Sequence, residues 1–211
     1  MKTPFIALLA LAAITALATA DDVAVLDIST GKGKPLQRVV IAFYPDDAPA
    51  TVANFEKLAR KGFYNGTAFH RVFPHLMVQA GDPLSKKKDR SAVGTGGPGY
   101  TLPPEIHRKH IAGAVAAARI GDKLNPARLS NGSQFYITLA PNANLDGKYT
   151  VFGHVTQGMD VLDAISQVPA DTNDNPVDRV VIQSVQIVPS DAIPAVKTSK
   201  GGISKFFRRL F

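Results

Sequence analysis

Residues 64–82 read YNGTAFHRVFPHLMVQAGD, and the fold follows from how their middle is divided. Phe69 to Phe73 and Leu76 to Ala80 are two short runs joined by Pro74-His75, with polar residues set singly among apolar ones. This alternation predicts two strands, each with one face on a core and the other on a shallow surface site. Arg71 and Gln79 then lie on or beside an apolar patch made of Phe69, Phe73, Leu76 and Met77. Two readings of Arg71 fit that placement. Its stem covers hydrophobic surface as any surface arginine's does, or its guanidinium directs several donors at a weak acceptor over a floor that excludes water.

Working outward, the same patterning recurs on both sides. Val23 to Ile28 and Arg38 to Tyr44 are rich in β-branched and apolar residues and flank Gly31 to Pro35, which predicts paired strands around a turn. Pro45 to Pro49 breaks the strand, and Thr51 opens a helix whose apolar stripe is Val52, Phe55, Leu58 and Ala59, ended by Gly62. Beyond Asp82, Gly94-Thr95-Gly96-Gly97-Pro98-Gly99 satisfies the G-x-G-x-x-G dinucleotide fingerprint. The match fails on context, because Tyr100-Thr101-Leu102-Pro103-Pro104 does not start the helix whose N-terminus would receive a phosphate. A turn-rich loop beside the site is the better reading. Ile111 to Arg119 is a strand rich in small residues, as a wall approached closely by a peptide would be. Leu129 to Thr138 and Val151 to Gly153 add further strand, Met159 to Val168 forms a second amphipathic helix, and Arg179 to Val188 is a closing alternating strand.

Composition narrows the function. The 211 residues are 45% hydrophobic, enough for one core, and no second set of periodic segments points to another domain. The absence of cysteine excludes thiol catalysis, disulfides and thiolate metal sites. A net charge of +7 is concentrated in Lys86 to Arg90 and in the tail from Lys197 to Arg209, which indicates local patches and no nucleic-acid-binding face. Lys2, the apolar run Phe5 to Leu17 and the small residues Ala18-Thr19-Ala20 read as a secretory signal cleaved near Ala20, since the run is short for a membrane span. Residues 1–20 are thus a signal peptide, 21–189 the folded domain, and 190–211 a linker and basic tail. On a helix, Ile203, Phe206, Phe207, Leu210 and Phe211 would form one stripe. That tail has three readings: contact with an anionic membrane surface, contact with a partner, or packing back on the domain. A monomer is expected.

The order of residues now adds a resemblance. Phe69-His70-Arg71 followed by Met77, Gln79 and Gly81 is similar to the signature of the cyclophilin family of peptidyl-prolyl isomerases, and the leader-like start resembles its exported bacterial members. Three more blocks agree in order: Ala48 to Phe55, Asn131 to Ile137, and Leu145 to Gly153. The resemblance covers about residues 23–188 and implies a mainly β fold, a closed eight-stranded antiparallel barrel capped by two α-helices, with the interior filled by side chains.

The site is implied by the same resemblance. Arg71 and Gln79 are the catalytic candidates; Phe69, Leu76, Met77, Tyr136 and Leu145 form a proline pocket. His70, Ala118, Arg119, Gln134 and Tyr149 complete the substrate contacts, with His70 structural or at the rim and no general base. Five positions depart from the family pattern, Asn144 among them. Phe73 replaces an aliphatic residue, Leu76 and Tyr136 replace pocket phenylalanines, and Tyr149 replaces a common histidine. The Tyr136 hydroxyl needs a partner or must reach the rim. Asn144 stands where many members carry a tryptophan that binds cyclosporin, so sensitivity to that drug should be weak. No cofactor or metal is called for. His107 and His110 are spaced i, i+3, but no carboxylate-histidine spacing completes a metal site, and no Gly-x-Ser-x-Gly elbow is present. The expected substrates are proline-containing unfolded or flexible polypeptides during folding of exported proteins. The altered pocket keeps a second reading open, a peptide-binding or chaperone module with little turnover.

Overall fold

A computed structural model describes residues 21–31 and 33–193. The signal-like start and the stripe from Ile203 to Phe211 lie outside the described residues.

The chain opens with β1 (Asp22–Ser29) and β2 (Gln37–Phe43), which pair antiparallel with Leu26 opposite Val39 and Ala24 opposite Ile41. These four, with Ile28, turn into the main core, while Val23, Val25 and Val40 form a smaller cluster on the other face with Val188. The period-2 pattern is therefore apolar on both sides here, which is why the run reads as nearly continuous hydrophobic sequence.

Between β2 and the central hairpin comes α1 (Pro49–Arg60), burying Thr51, Val52, Phe55, Leu58 and Ala59. It starts two residues before the predicted Thr51. Pro49 is preset for the first helical turn, and the cap comes from far away in sequence. Glu105 accepts from the backbone N–H groups of Ala50 and Thr51 at 2.9 Å each and from the Thr51 hydroxyl at 2.7 Å. A carboxylate at a helix N-terminus satisfies orphan donors and favours the dipole.

The remaining strands are β3 (Ala68–Phe69), β4 (Arg71–Phe73), β5 (Met77–Ala80), β6 (Ala114–Ala117), β7 (Phe135–Thr138), β8 (Val151–Gln157) and β9 (Val180–Pro189). They form one sheet in the order β3-β9-β1-β2-β8-β6-β7-β5-β4. Its two ends, β3 and β4, are separated only by His70. The segment 68–73 thus pairs with β9 through its first half and with β5 through its second, and closes the barrel. Counted as one crossing strand it gives the eight expected; the break at His70 makes nine. Among the described residues this leaves only the short β3 and β4 as sheet ends.

The second helix, α2 (Met159–Ser166), buries Leu162, Ile165 and Ser166 and ends two residues before the predicted Val168. The helices pack on different strands, α1 against β8 and β9, α2 against β2, β4 and β5. Inside, Phe55 touches Phe43, Tyr64, Phe135 and Phe152 with ring centroids 4.8–5.7 Å apart, so the interior is filled by aromatic packing.

Candidate active site

Strand parity sorts the wall made by β4, β5, β7 and β6 into two faces. Val72, Val78, Ala80, Ile137, Phe135, Val115 and Ala117 point inward to the core. Register sets Arg71 opposite Gln79, Gln79 opposite Tyr136, and Tyr136 opposite Ala116, all on the other face. There Ala114, Ala116, Ala118, Tyr136 and Val151 form a separate apolar cluster, with Met77, Leu145, Tyr149 and Tyr44 packed on it. This is the apolar floor. A groove of about 460 Å³ runs over it, bordered by Arg71, Gln79, Ala118, Arg119, Gln134 and Tyr149. The groove reaches Ile120 and Leu124, which are largely exposed, and Leu129, which is partly so.

Two predicted pocket residues stand elsewhere. Phe69 is 1% exposed and belongs to the main core, not to the pocket. On a regular strand, residues two apart share a face, so Phe69 reads as a neighbour of Arg71. The break between β3 and β4 at His70 ends that alternation and turns Phe69 inward. Leu76, at the β4–β5 turn, is 59% exposed and does not line the groove. Met77, Tyr136 and Leu145 pack in one cluster on the outer face, and of the three Tyr136 lines the groove.

The polar residues are held from behind. The Gln79 amide donates to Gln134 Oε1 at 2.9 Å, and Gln134 in turn donates to the carbonyls of Gly94 and Gly96 at 3.0 and 2.8 Å. The loop these glycines belong to is fixed by Asp82, which is fully buried. Its carboxylate accepts from the backbone of Leu84 at 2.7 Å, of Gly96 at 3.2 Å and of Gly94. A Cβ on Gly96 would lie 2.1 Å from Asp82 Oδ1, so the backbone approaches this closely only because no side chain is there. The glycine-rich run is a loop whose Gly94 and Gly96 N–H groups are taken by the protein's own carboxylate, so they are not free to cradle a phosphate. At the other end of the wall, Asn131 Oδ1 accepts from Gln134 N at 3.0 Å, and its amide donates to Gly96 O at 3.0 Å.

Arg71 is half-exposed. Its guanidinium carbon lies 4.7 Å from the Phe73 ring centre, and Nε is 3.5 Å from Asp174 Oδ2. Asp174 adopts φ 62° and accepts from Val72 N through its carbonyl at 2.9 Å, so the loop 171–175 is laced to β4 beside the arginine. Arg119 is different in kind. Its side chain is 3% exposed, donates to Lys148 O at 2.8 Å, pairs with Asp122 at 2.6 Å and stacks 4.6 Å over Tyr149. It builds the wall and does not reach out. The Ala118 amide and carbonyl are both engaged, by Gln134 and Asn131.

His70 is 4% exposed, and burial lowers its pKa, so it is a neutral structural group at neutral pH. The Tyr136 hydroxyl finds its partner in His110 Nε2 at 2.8 Å. Sequence reasoning missed this role of His110, together with Asp82, Asn131 and Asp174. Asp82 and Asn131 also bond locally, to Leu84 and Gln134, but the contacts that tie these residues to the wall span 12 to 103 residues, and no spacing signals those. Among the described residues no three His, Cys, Asp or Glu side chains gather as a metal site requires.

Fold and groove together describe a β-barrel whose outer wall carries an apolar floor bordered by an arginine. Over residues 25–187 the sequence matches the family described as cyclophilin type peptidyl-prolyl cis-trans isomerase/CLD. Peptidyl-prolyl cis-trans isomerase-like 1 of Aspergillus fumigatus is 40% identical over 151 residues, 70% of this chain and 88% of that protein. The Homo sapiens protein of the same name is 40% identical over 147 residues, 68% of this chain and 82% of that one. A crystal structure of a Cryptosporidium parvum cyclophilin type peptidyl-prolyl cis-trans isomerase superposes with a TM-score of 0.68 at 26% identity, covering 79% of this chain and 97% of its own. The same protein in the presence of the dipeptide Ala-Pro gives a TM-score of 0.67 at 26% identity, covering 79% and 98%. The chain belongs to the cyclophilin-type peptidyl-prolyl cis-trans isomerase family.

Proposed function

We propose that this protein accelerates rotation about X-Pro bonds in unfolded or flexible polypeptides, with Arg71 as the group that lowers the barrier. Uncatalysed, the bond turns over in tens to hundreds of seconds because rotation breaks amide resonance. The proline ring sits on the floor of Met77, Tyr136 and Leu145, while Gln79 and the Arg119 backbone hold the flanking peptide. Arg71 then donates to the prolyl nitrogen as it becomes pyramidal, drawing its lone pair out of resonance. No nucleophile or redox group takes part; catalysis is positioning plus a donor aimed at charge present only in the transition state.

The observation that carries this reading is the register that sets Arg71 across from Gln79 at the edge of an apolar cluster on the outer wall. The reading is tested by the cis-to-trans rate of a short X-Pro peptide with and without the protein, alongside titration of the same peptide. Turnover well above buffer supports an isomerase. Binding with no acceleration supports the second reading, a peptide-binding module, which the exposure of Leu76 favours.

The clients we propose are exported proteins, as in exported bacterial members of the family. This rests on Lys2, the apolar run to Leu17 and Ala18-Thr19-Ala20. Expressed in a secreting host, the protein should begin at Asp21; a purified N-terminus that retains residues 1–20 would contradict export. The tail with Ile203, Phe206, Phe207, Leu210 and Phe211 adds a membrane or partner contact to this proposal. Sedimentation with anionic vesicles, lost when the chain stops at Pro189, would mark it as a membrane contact.

A further inference from the structure

The floor of the groove contains an aromatic ring with a polar end, and the structure disposes of that end in a specific way. Tyr136 is 4% exposed, and a buried hydroxyl left unpaired is costly. It lies 2.8 Å from His110 Nε2; the His110 side chain is completely buried. On its other side, His110 Nδ1 is 3.1 Å from Asp146 Oδ1, which also accepts from the His110 backbone N–H at 2.7 Å. These three groups come from β7, from the segment before β6 and from the turn before β8, and form one chain of hydrogen bonds.

The direction of each bond is fixed by chemistry. The His110 N–H groups hold the Asp146 carboxyl below the usual carboxylate range, so it is ionised and can only accept. Nδ1 therefore carries a proton. Burial lowers the His110 pKa, so the ring is neutral and Nε2 is left with a lone pair. The Tyr136 hydroxyl must donate to it. Rings reinforce the arrangement: Tyr136 and His110 lie parallel within 6°, and Tyr149 stands edge-on to both at 87° and 89°.

We propose that His110 is a positioning residue for the proline pocket: by accepting a hydrogen bond from the Tyr136 hydroxyl it turns the polar end of the wall away from the groove and leaves an apolar ring face to the substrate. His110 acts only through Tyr136. Asp146 fixes the tautomer that makes His110 an acceptor, as a second partner does for many functional histidines. The inference rests on Tyr136 being a pocket wall, the reading proposed above.

The test is a suppressor experiment on the isomerase. His110→Phe removes the acceptor and orphans the hydroxyl, so KM for an X-Pro peptide should rise about fivefold with kcat little changed. Adding Tyr136→Phe removes the orphan and should return KM to within about twofold of wild type, since deleting both partners is nearly neutral where deleting one is not. A double variant as impaired as His110→Phe, or worse, overturns the proposal. If the position 110 variants do not fold, nitrogen NMR of the wild type and of Tyr136→Phe decides. An unprotonated His110 Nε2 whose resonance moves when the hydroxyl is lost supports the chain, and a protonated Nε2 overturns it. Wild-type turnover reports separately on the isomerase reading, so failure of one is distinguishable from failure of the other.

Discussion

Gln134 shows how much a single residue does in this wall. It is 4% exposed, takes the Gln79 amide on its oxygen and gives its own amide to two loop carbonyls, so β5 and the glycine loop meet in one side chain. Gln134→Leu should leave those groups unpaired, destabilise the fold by about 1–3 kcal/mol and raise KM more than it lowers kcat. Urea unfolding and peptide kinetics on the same sample check both. At this scale the sequence was legible where local alternation held. Arg71, Gln79, Met77 and Tyr136 share an outward face because nothing interrupts β4, β5 or β7. Phe69 was misplaced because alternation stops at His70, a break that depends on which neighbours the two half-strands find, and β9 and β5 are far apart in sequence. The need of the Tyr136 hydroxyl for a partner was legible from its chemistry; that the partner is His110 was not, since 26 residues separate them.

Among the elements, the two most informative are held by carboxylates that lie outside them. The glycine loop 94–96 closes on buried Asp82, and α1 begins on Glu105. Each makes a prediction. Asp82→Ala strands three backbone donors and should destabilise by about 2–3 kcal/mol, with peptide affinity falling because Gln134 loses its anchored loop. Glu105→Ala removes a helix cap and should cost about 1–2 kcal/mol, leaving kcat untouched since α1 packs on β8 and β9, away from Arg71. Denaturant midpoints at constant slope read both. The stripe of α1 was readable because 3.6-residue periodicity is local, and Gly62 marked its end at φ 67°. The cap was not readable, because an acceptor 55 residues away leaves no pattern in the helix itself.

On the scale of the whole molecule, three imidazoles are kept neutral by burial. The pKa values of His70, His110 and His154 are all lowered from 6.5, with desolvation the largest cause. The unfolded chain binds these protons first, so their contribution is complete above about pH 6.5 and is lost as pH falls through the lower folded values. Thermal midpoints should hold from pH 8 to 7 and decline toward pH 5. The carboxylates Asp122, Asp146 and Asp171, whose pKa values are lowered from 3.8, add a separate loss only below that value. A midpoint that rises on acidification to pH 5 would contradict the neutral-imidazole account.

The claim everything else serves is that Arg71 lowers the rotational barrier. Its most direct measurement is kcat/KM for cis-to-trans isomerisation of an X-Pro peptide by wild type and by Arg71→Ala, with unfolding midpoints compared on the same samples. Arg71 is half-exposed and its ion pair with Asp174 is a surface one, so stability should change by less than about 1 kcal/mol. The account predicts that kcat/KM falls about a hundredfold or more, while peptide binding weakens far less. Equal activity in the two proteins would contradict it.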